Sequence, residues 1–183
     1  MKRSLLFPLV FLLGANLTAC SGGGSGSEAD LVRQQYQSFS VDIPSDWNKI
    51  LQQDFANTIP PETVAIFLKR IQGDDFIQNV NVIKESLNTD ATSLEYAKAN
   101  ILLGSKALVD YRAISSEEVN VNGVRTVLHL FHARNTTTDP LRNYSQTYFA
   151  KDKIGYTLTC VAKEEDQVQQ LTCQNIVRSF LLQ

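Results

Sequence analysis

The dipeptide Asn122-Gly123 constrains this chain more than any other feature, because it lies between two long runs of strand-like residues, 111–121 and 124–134. A type I′ turn needs positive φ at both central positions, and Asn followed by Gly is the pair that adopts it most readily, so the two runs fold back on one another as a hairpin. Two more strand-type runs follow. Residues 143–151 come after a polar loop and residues 155–162 after a turn at 152–154, and consecutive hairpins of this kind predict an antiparallel meander.

Helices flank that meander. Thr92 with Glu95 three positions later forms a capping box, and Leu94, Ala97, Ile101 and Leu108 recur at helical spacing, which predicts a helix over 92–109 lying flat on the sheet. Gly104 falls on the same stripe, where it weakens the helix and is expected to admit a close packing contact rather than line a ligand pocket. A second amphipathic helix is predicted over about 167–182, with Asp166 as its N-cap and Gln169 at the third helical position. Upstream, Phe39, Val41 and Ile43 alternate with Ser38, Ser40 and Asp42, the period of a half-buried strand over 36–43 that Pro44 stops. Ser45-Asp46 is then expected to cap a short helical turn carrying Trp47, Ile50 and Leu51. Residues 64–71 and 76–83 read as two further strands joined at Gly73-Asp74. The fold class expected is α+β, an antiparallel sheet between helices, over residues 31–183.

The N-terminus reads as an export signal. Lys2 and Arg3 give a positive start, residues 5–13 an apolar stretch, and Leu17-Thr18-Ala19-Cys20 resembles a bacterial lipobox, cut before a cysteine that carries diacylglycerol. A retained transmembrane helix is the rival reading, but Pro8 and Gly14 interrupt an apolar run that ends short of the roughly 20 residues a span needs. Residues 1–19 are thus expected to be removed, leaving Cys20 lipidated and a flexible Ser/Gly tract, 21–27, as its tether. Ser21 in the sorting position directs such a product to the outer membrane, facing the periplasm, where the source has one; otherwise it stays on the outer face of the cytoplasmic membrane.

Loss of Lys2 and Arg3 takes the basic count from 17 to 15 against 19 acidic residues, a formal charge of −4. That balance argues against a nucleic-acid surface, which wants a basic stripe. No polybasic run is present to hold anionic lipid, so the membrane is expected as a partner through the acyl chains alone. With Cys20 acylated, Cys160 and Cys173 remain. Cys160 shares a strand face with Tyr156, Leu158 and Ala162, and Cys173 sits in a helical stripe with Gln169, Ile176, Val177 and Phe180. Both therefore point into the layer between helix and sheet, and a disulfide is expected in an oxidising compartment. A pair of buried free thiols is the alternative.

The opening Tyr36-x-x-Phe39-Ser40-Val41-Asp42-Ile43-Pro44-x-x-Trp47, the helix start Ser93-Leu94-Glu95-x-Ala97-Lys98, Gln146-x-Tyr148, Tyr156-x-Leu158-Thr159 and the terminal Ser179-Phe180 resemble the PsbP/Mog/DcrB-like superfamily. The likeness covers most of the chain from Tyr36 onward. It implies an antiparallel sheet sandwiched between helices and a non-enzymatic role, since members include photosystem II assembly factors, a binder of a small GTPase and bacterial envelope lipoproteins. It carries no functional residue across, and a shared fold is not a shared function.

Chemistry-bearing residues are sparse. His129 and His132 are three apart on a strand and so point to opposite faces, which prevents them from sharing one metal. No G-x-S-x-G, H-E-x-x-H or phosphate-cradling glycine loop exists, and Gly22-Gly23-Gly24 belongs to the tether. Neither a catalytic set, a metal site nor a cofactor is therefore expected. The reading favoured is a lipid-anchored, non-catalytic binding or scaffold module of the cell envelope with an envelope protein as partner. The alternatives are a small-ligand or metal-binding lipoprotein, and an enzyme with a site built from residues such as His132, Glu117 and Arg134. The partner surface is expected on the loop 135–142, too long for a simple hairpin, through Arg134, Asp139, Leu141 and Arg142.

Overall fold

The computed structural model describes residues 30–55 and 59–183. The leader, Cys20 and the Ser/Gly tract lie outside the described residues. Among those described, no helix is long and apolar enough to cross a membrane.

The chain begins with β1 (Leu31–Gln35) and β2 (Phe39–Pro44), an antiparallel pair, and continues through β3 (Asn48–Ile50), β4 (Thr63–Arg70) and β5 (Ile77–Ser86). Helix α1 (Ser93–Ala107) then leads to β6 (Val109–Val121), β7 (Val124–Arg134), β8 (Arg142–Lys151) and β9 (Ile154–Lys163). Helix α2 (Gln167–Arg178) and the short β10 (Leu181–Leu182) finish the chain. The large sheet has the order β3-β4-β5-β9-β8-β7-β6, and every pairing in it is antiparallel. Strands β6 to β9 are the meander that the turn residues demand, and the β4-β5 hairpin joins it through β5 and β9. Asn122 and Gly123 have φ of 49° and 87°, the two positive values the tight turn needs.

Alternate residues of the sheet build two different layers. On one face Val80, Val82, Phe149, Leu158 and Cys160 meet Cys173, Ile176 and Val177 of α2, together with Phe180. Phe39, Val41 and Ile43 join the same cluster, so the small sheet β1-β2-β10 completes this layer beside α2. Cys160 and Cys173 are joined by a disulfide across it, with their Cα atoms 5.2 Å apart. The opposite face is partly covered by α1. Its capping box forms as the spacing requires: Thr92 accepts from the Glu95 amide, and Glu95 accepts from the Thr92 amide at 2.8 Å.

Several local expectations need correction. Ser45-Asp46 starts no helical turn. Asn48, Lys49 and Ile50 pair instead with Leu68, Phe67 and Ile66 of β4, which satisfies their backbone groups, while Trp47 turns into the α2-side core. The last helix ends at Arg178 rather than near 182, because Leu181 and Leu182 add to the edge of β2 and the Asn122 amide donates to the Phe180 carbonyl at 2.7 Å. Gly104 has no heavy atom within 4 Å of where a Cβ would stand, so it packs against nothing. The close approach occurs at Gly155, where a Cβ would lie 2.5 Å from the Tyr96 ring.

Candidate functional site

Two regions collect polar side chains outside the α2-side core. The first is the end of the sheet where the β4-β5 turn, the β7-β8 loop and the β9-α2 connection meet. Arg134 donates through Nε to Asp110 at 2.8 Å and through a guanidinium nitrogen to the Asp139 carbonyl at 2.6 Å. The Asp139 carboxylate accepts from the Thr136 amide at 2.9 Å, so the loop between β7 and β8 is braced across its base. Arg142 lies over the Phe76 ring at 4.2 Å, a cation–π contact. Leu141 is half-buried, and Thr136, Thr137, Thr138 and Pro140 form the exposed crest. Beside them Lys163 hydrogen-bonds Asp74, and with the Phe76 amide it holds that carboxyl below its usual range.

The residues weighed as an enzyme site do not converge. His132 faces the α2 side, with Nδ1 3.6 Å from Glu164 and Nε2 3.3 Å from the Asn143 amide nitrogen. Glu117 is opposite Leu128, four residues along β7 from His132 and so roughly 13 Å away at strand spacing. Arg134 is occupied by Asp110 and Asp139. Among the described residues no three His, Cys, Asp or Glu side chains are grouped to hold a metal ion.

The second region is the α1 face of the sheet, and its residues become neighbours only through strand register. Asn81 of β5 stands opposite Thr159 of β9, Thr159 opposite Gln146 of β8, Gln146 opposite His129 of β7, and His129 opposite Ser116 of β6. Five adjacent strands thus present one polar row. Gln146 donates to the Thr159 hydroxyl at 2.8 Å and accepts from the Tyr148 hydroxyl at 2.5 Å. His129 is buried between Tyr111 and Ser116, and its Nδ1 lies 3.1 Å from the Ser115 carbonyl. A carbonyl only accepts, so Nδ1 carries the proton and Nε2 accepts from the Tyr111 hydroxyl at 2.7 Å. Burial lowers the His129 pKa, the Ser115 hydrogen bond opposes the shift more weakly, and the ring is neutral near pH 7. Asn81 is buried with its Oδ1 unpartnered.

Helix α1 does not cover this row fully. Ser93, Tyr96 and Ala97 near its start are buried, whereas Leu102 and Leu103 near its end are exposed. Along its flank, over β5 and β9, runs a groove of about 1290 Å³. Gln146, Thr157, Thr159 and His129 lie in its floor, and Gly104 leaves its helical wall open. At one end Tyr96 donates to Glu85 at 2.6 Å and meets Thr157 at 3.0 Å, its ring seated on Gly155. Sequence reasoning set a ligand pocket at Gly104 aside in favour of a packing contact and so passed over the groove. A second local signal was Thr157 and Thr159 alternating with Leu158 and Cys160, a polar face on a strand that proves to be central.

No family model matches the chain, and no curated protein does. Solved structures with the same fold do exist. The cyanobacterial PsbP protein CyanoP from Synechocystis sp. PCC 6803 superposes over 89% of this chain and 98% of its own, with a TM-score of 0.59 at 18% identity. LpqN, involved in cell envelope biogenesis of Mycobacterium tuberculosis, superposes over 85% and 92%, with a TM-score of 0.57 at 10% identity. The Saccharomyces cerevisiae Ran-binding protein Mog1p covers 85% and 96%, with a TM-score of 0.54 at 10% identity. Identities this low establish the α+β fold and nothing of the chemistry.

Proposed function

We propose that the chain is a lipid-anchored, non-catalytic binding module of the cell envelope, held by Cys20, tethered by residues 21–27 and facing the periplasm from the outer membrane where the source has one. The observation that carries this reading is the β7-β8 loop. It is longer than a hairpin requires, yet Arg134, Asp110 and Asp139 hold it in one shape, and a preorganised loop on a rigid sheet loses little entropy when it binds. Its exposed crest of Thr136, Thr137, Thr138 and Pro140, flanked by Leu141 and Arg142, offers hydrogen bonding with some apolar area to an envelope protein. The envelope role of LpqN and the PsbP likeness of CyanoP agree with such a module, and the disulfide suits an oxidising compartment.

Two measurements test it in intact cells. Mass spectrometry of the mature N-terminal peptide should find diacylglyceryl on Cys20, and an unmodified Cys20 in a membrane-free fraction overturns the anchor. A photo-cross-linking residue at Thr137 should capture a discrete protein, one at the exposed Asp75 of the neighbouring β4-β5 turn should capture the same protein, and replacing 135–141 by Asn-Gly should abolish the Asp75 adduct. An Asp75 adduct that persists unchanged in the shortened chain rules this surface out.

A further inference from the structure

The α1-side groove lies apart from the β7-β8 crest, and we infer that it accommodates a single-chain amphiphile whose head group is cationic. Its length follows from its helical wall: from Glu95 to Leu108 along α1 is thirteen residues, roughly 20 Å at helical rise. Its volume of about 1290 Å³ exceeds what incidental voids leave in a packed domain and is ample for a small-molecule ligand.

The two ends of the groove differ in charge. Glu62 and Glu85 line one end, and neither has an ion-pair partner among the described residues. Lys84 also lines this end of the groove, but its ammonium is turned toward the Tyr156 ring on the α2 side, 5.7 Å from the ring centroid. Glu95 adds a third carboxylate there, held below its usual pKa range by hydrogen bonds from the Thr92 amide and hydroxyl. The other end is formed by Leu103, Ala107, Leu108 and Phe131. The polar groups beneath that end already have partners: His129 through both nitrogens, Tyr111 through its hydroxyl, and Gln146 through its carbonyl and amide. Hydrocarbon can therefore lie over them without stranding a charge or an unpaired acceptor.

That end-to-end polarity selects the ligand. An anionic head is repelled by the carboxylates. A saccharide leaves hydroxyls unpaired against the apolar end, and an extended peptide finds strand faces and helix side chains where its backbone needs a sheet edge. A cationic head at Glu62 and Glu85 with an alkyl tail toward Leu108 meets both ends.

The test uses the full chain and three probes with one tail, decyltrimethylammonium, decyl maltoside and decyl sulfate, each below its micelle-forming concentration. NMR should show the ammonium probe shifting the Gln146 side-chain amide and the Gly104 and Thr159 signals, with a Kd about tenfold or more below that of the sulfate. Glu85→Gln should reduce the preference for the cation over the maltoside several-fold while leaving the maltoside unchanged. Gly104→Leu, which enters open space, should weaken all three, and Ala99→Leu on the same flank repeats that test if the first variant fails to fold. Sulfate binding as tightly as ammonium, shifts confined to residues outside the groove, or full binding in a folded blocking variant each overturn the inference.

Discussion

The two faces of one sheet differ in what they are built for. On the α2 side, Val41, Leu158, Ile176, Val177 and Phe180 are all fully buried, and a disulfide ties helix to strand. On the α1 side, the same strands present Thr157, Thr159, Gln146 and His129, and the helix above them leaves a groove open along its flank. Apolar packing and a crosslink make the first face the source of stability. Hydrogen bonds that join Gln146 to Thr159 and Tyr148, and His129 to Tyr111 and Ser115, let the second face remain partly uncovered, with the Asn81 Oδ1 left unpartnered beside them.

Cutting into each face should give unequal results. Phe180, stacked between Phe39 and Phe149, is wholly buried, and Phe180→Ala should cost about 3–5 kcal/mol in urea unfolding. Leu103→Ala on the groove side should change stability by less than about 0.5 kcal/mol. Comparable losses from the two variants contradict the division between faces.

The disulfide comes next in size. It closes a sequence separation of 13 residues, and the Cys160→Ala, Cys173→Ala pair should lower unfolding free energy by about 3 kcal/mol in the chain-entropy model. An unfolding midpoint equal to that of the oxidised chain removes the crosslink from the account of this face.

Gly155→Ala probes a tight contact of the α1 side. Its Cβ would stand 2.5 Å from the Tyr96 ring, and displacing that ring should cost about 1–3 kcal/mol. In a Tyr96→Leu background the cost should shrink, and an undiminished cost there assigns the effect to the backbone instead.

A smaller effect comes from His129. Its folded pKa is depressed, chiefly by burial, so below the ordinary value of about 6.5 the unfolded chain binds a proton that the native ring resists. Stability should therefore fall as pH drops through that value and level off below the folded pKa. His129→Gln should flatten this part of the profile when denaturant midpoints are compared from pH 7 downward, and an unchanged slope assigns the dependence to other groups.

What the sequence revealed and what it hid divide along the same line. Asn122-Gly123, the Thr92/Glu95 box and the facing of Cys160 and Cys173 were legible because each rests on residues a few positions apart or on one strand's alternation. The polar row was not, since Asn81, Ser116, His129, Gln146 and Thr159 become neighbours only once four pairing registers are known. Gly104 and Gly155 show the same limit. Spacing placed Gly104 on the apolar stripe, but only the packing of α1 on the sheet reveals that Gly104 faces open space while Gly155 receives Tyr96. Likewise β10 depends on β2 offering a free edge, which no local pattern announces.

Native-state hydrogen exchange measures the difference between the faces directly. Amides of α2 and of β9 should exchange only through global unfolding, while those in the second half of α1, from Ile101 to Ala107, should exchange through a partial opening at least about 1 kcal/mol lower in free energy. Protection along α1 equal to or above that of α2 would contradict the claim that one face holds the domain together and the other is left open to bind.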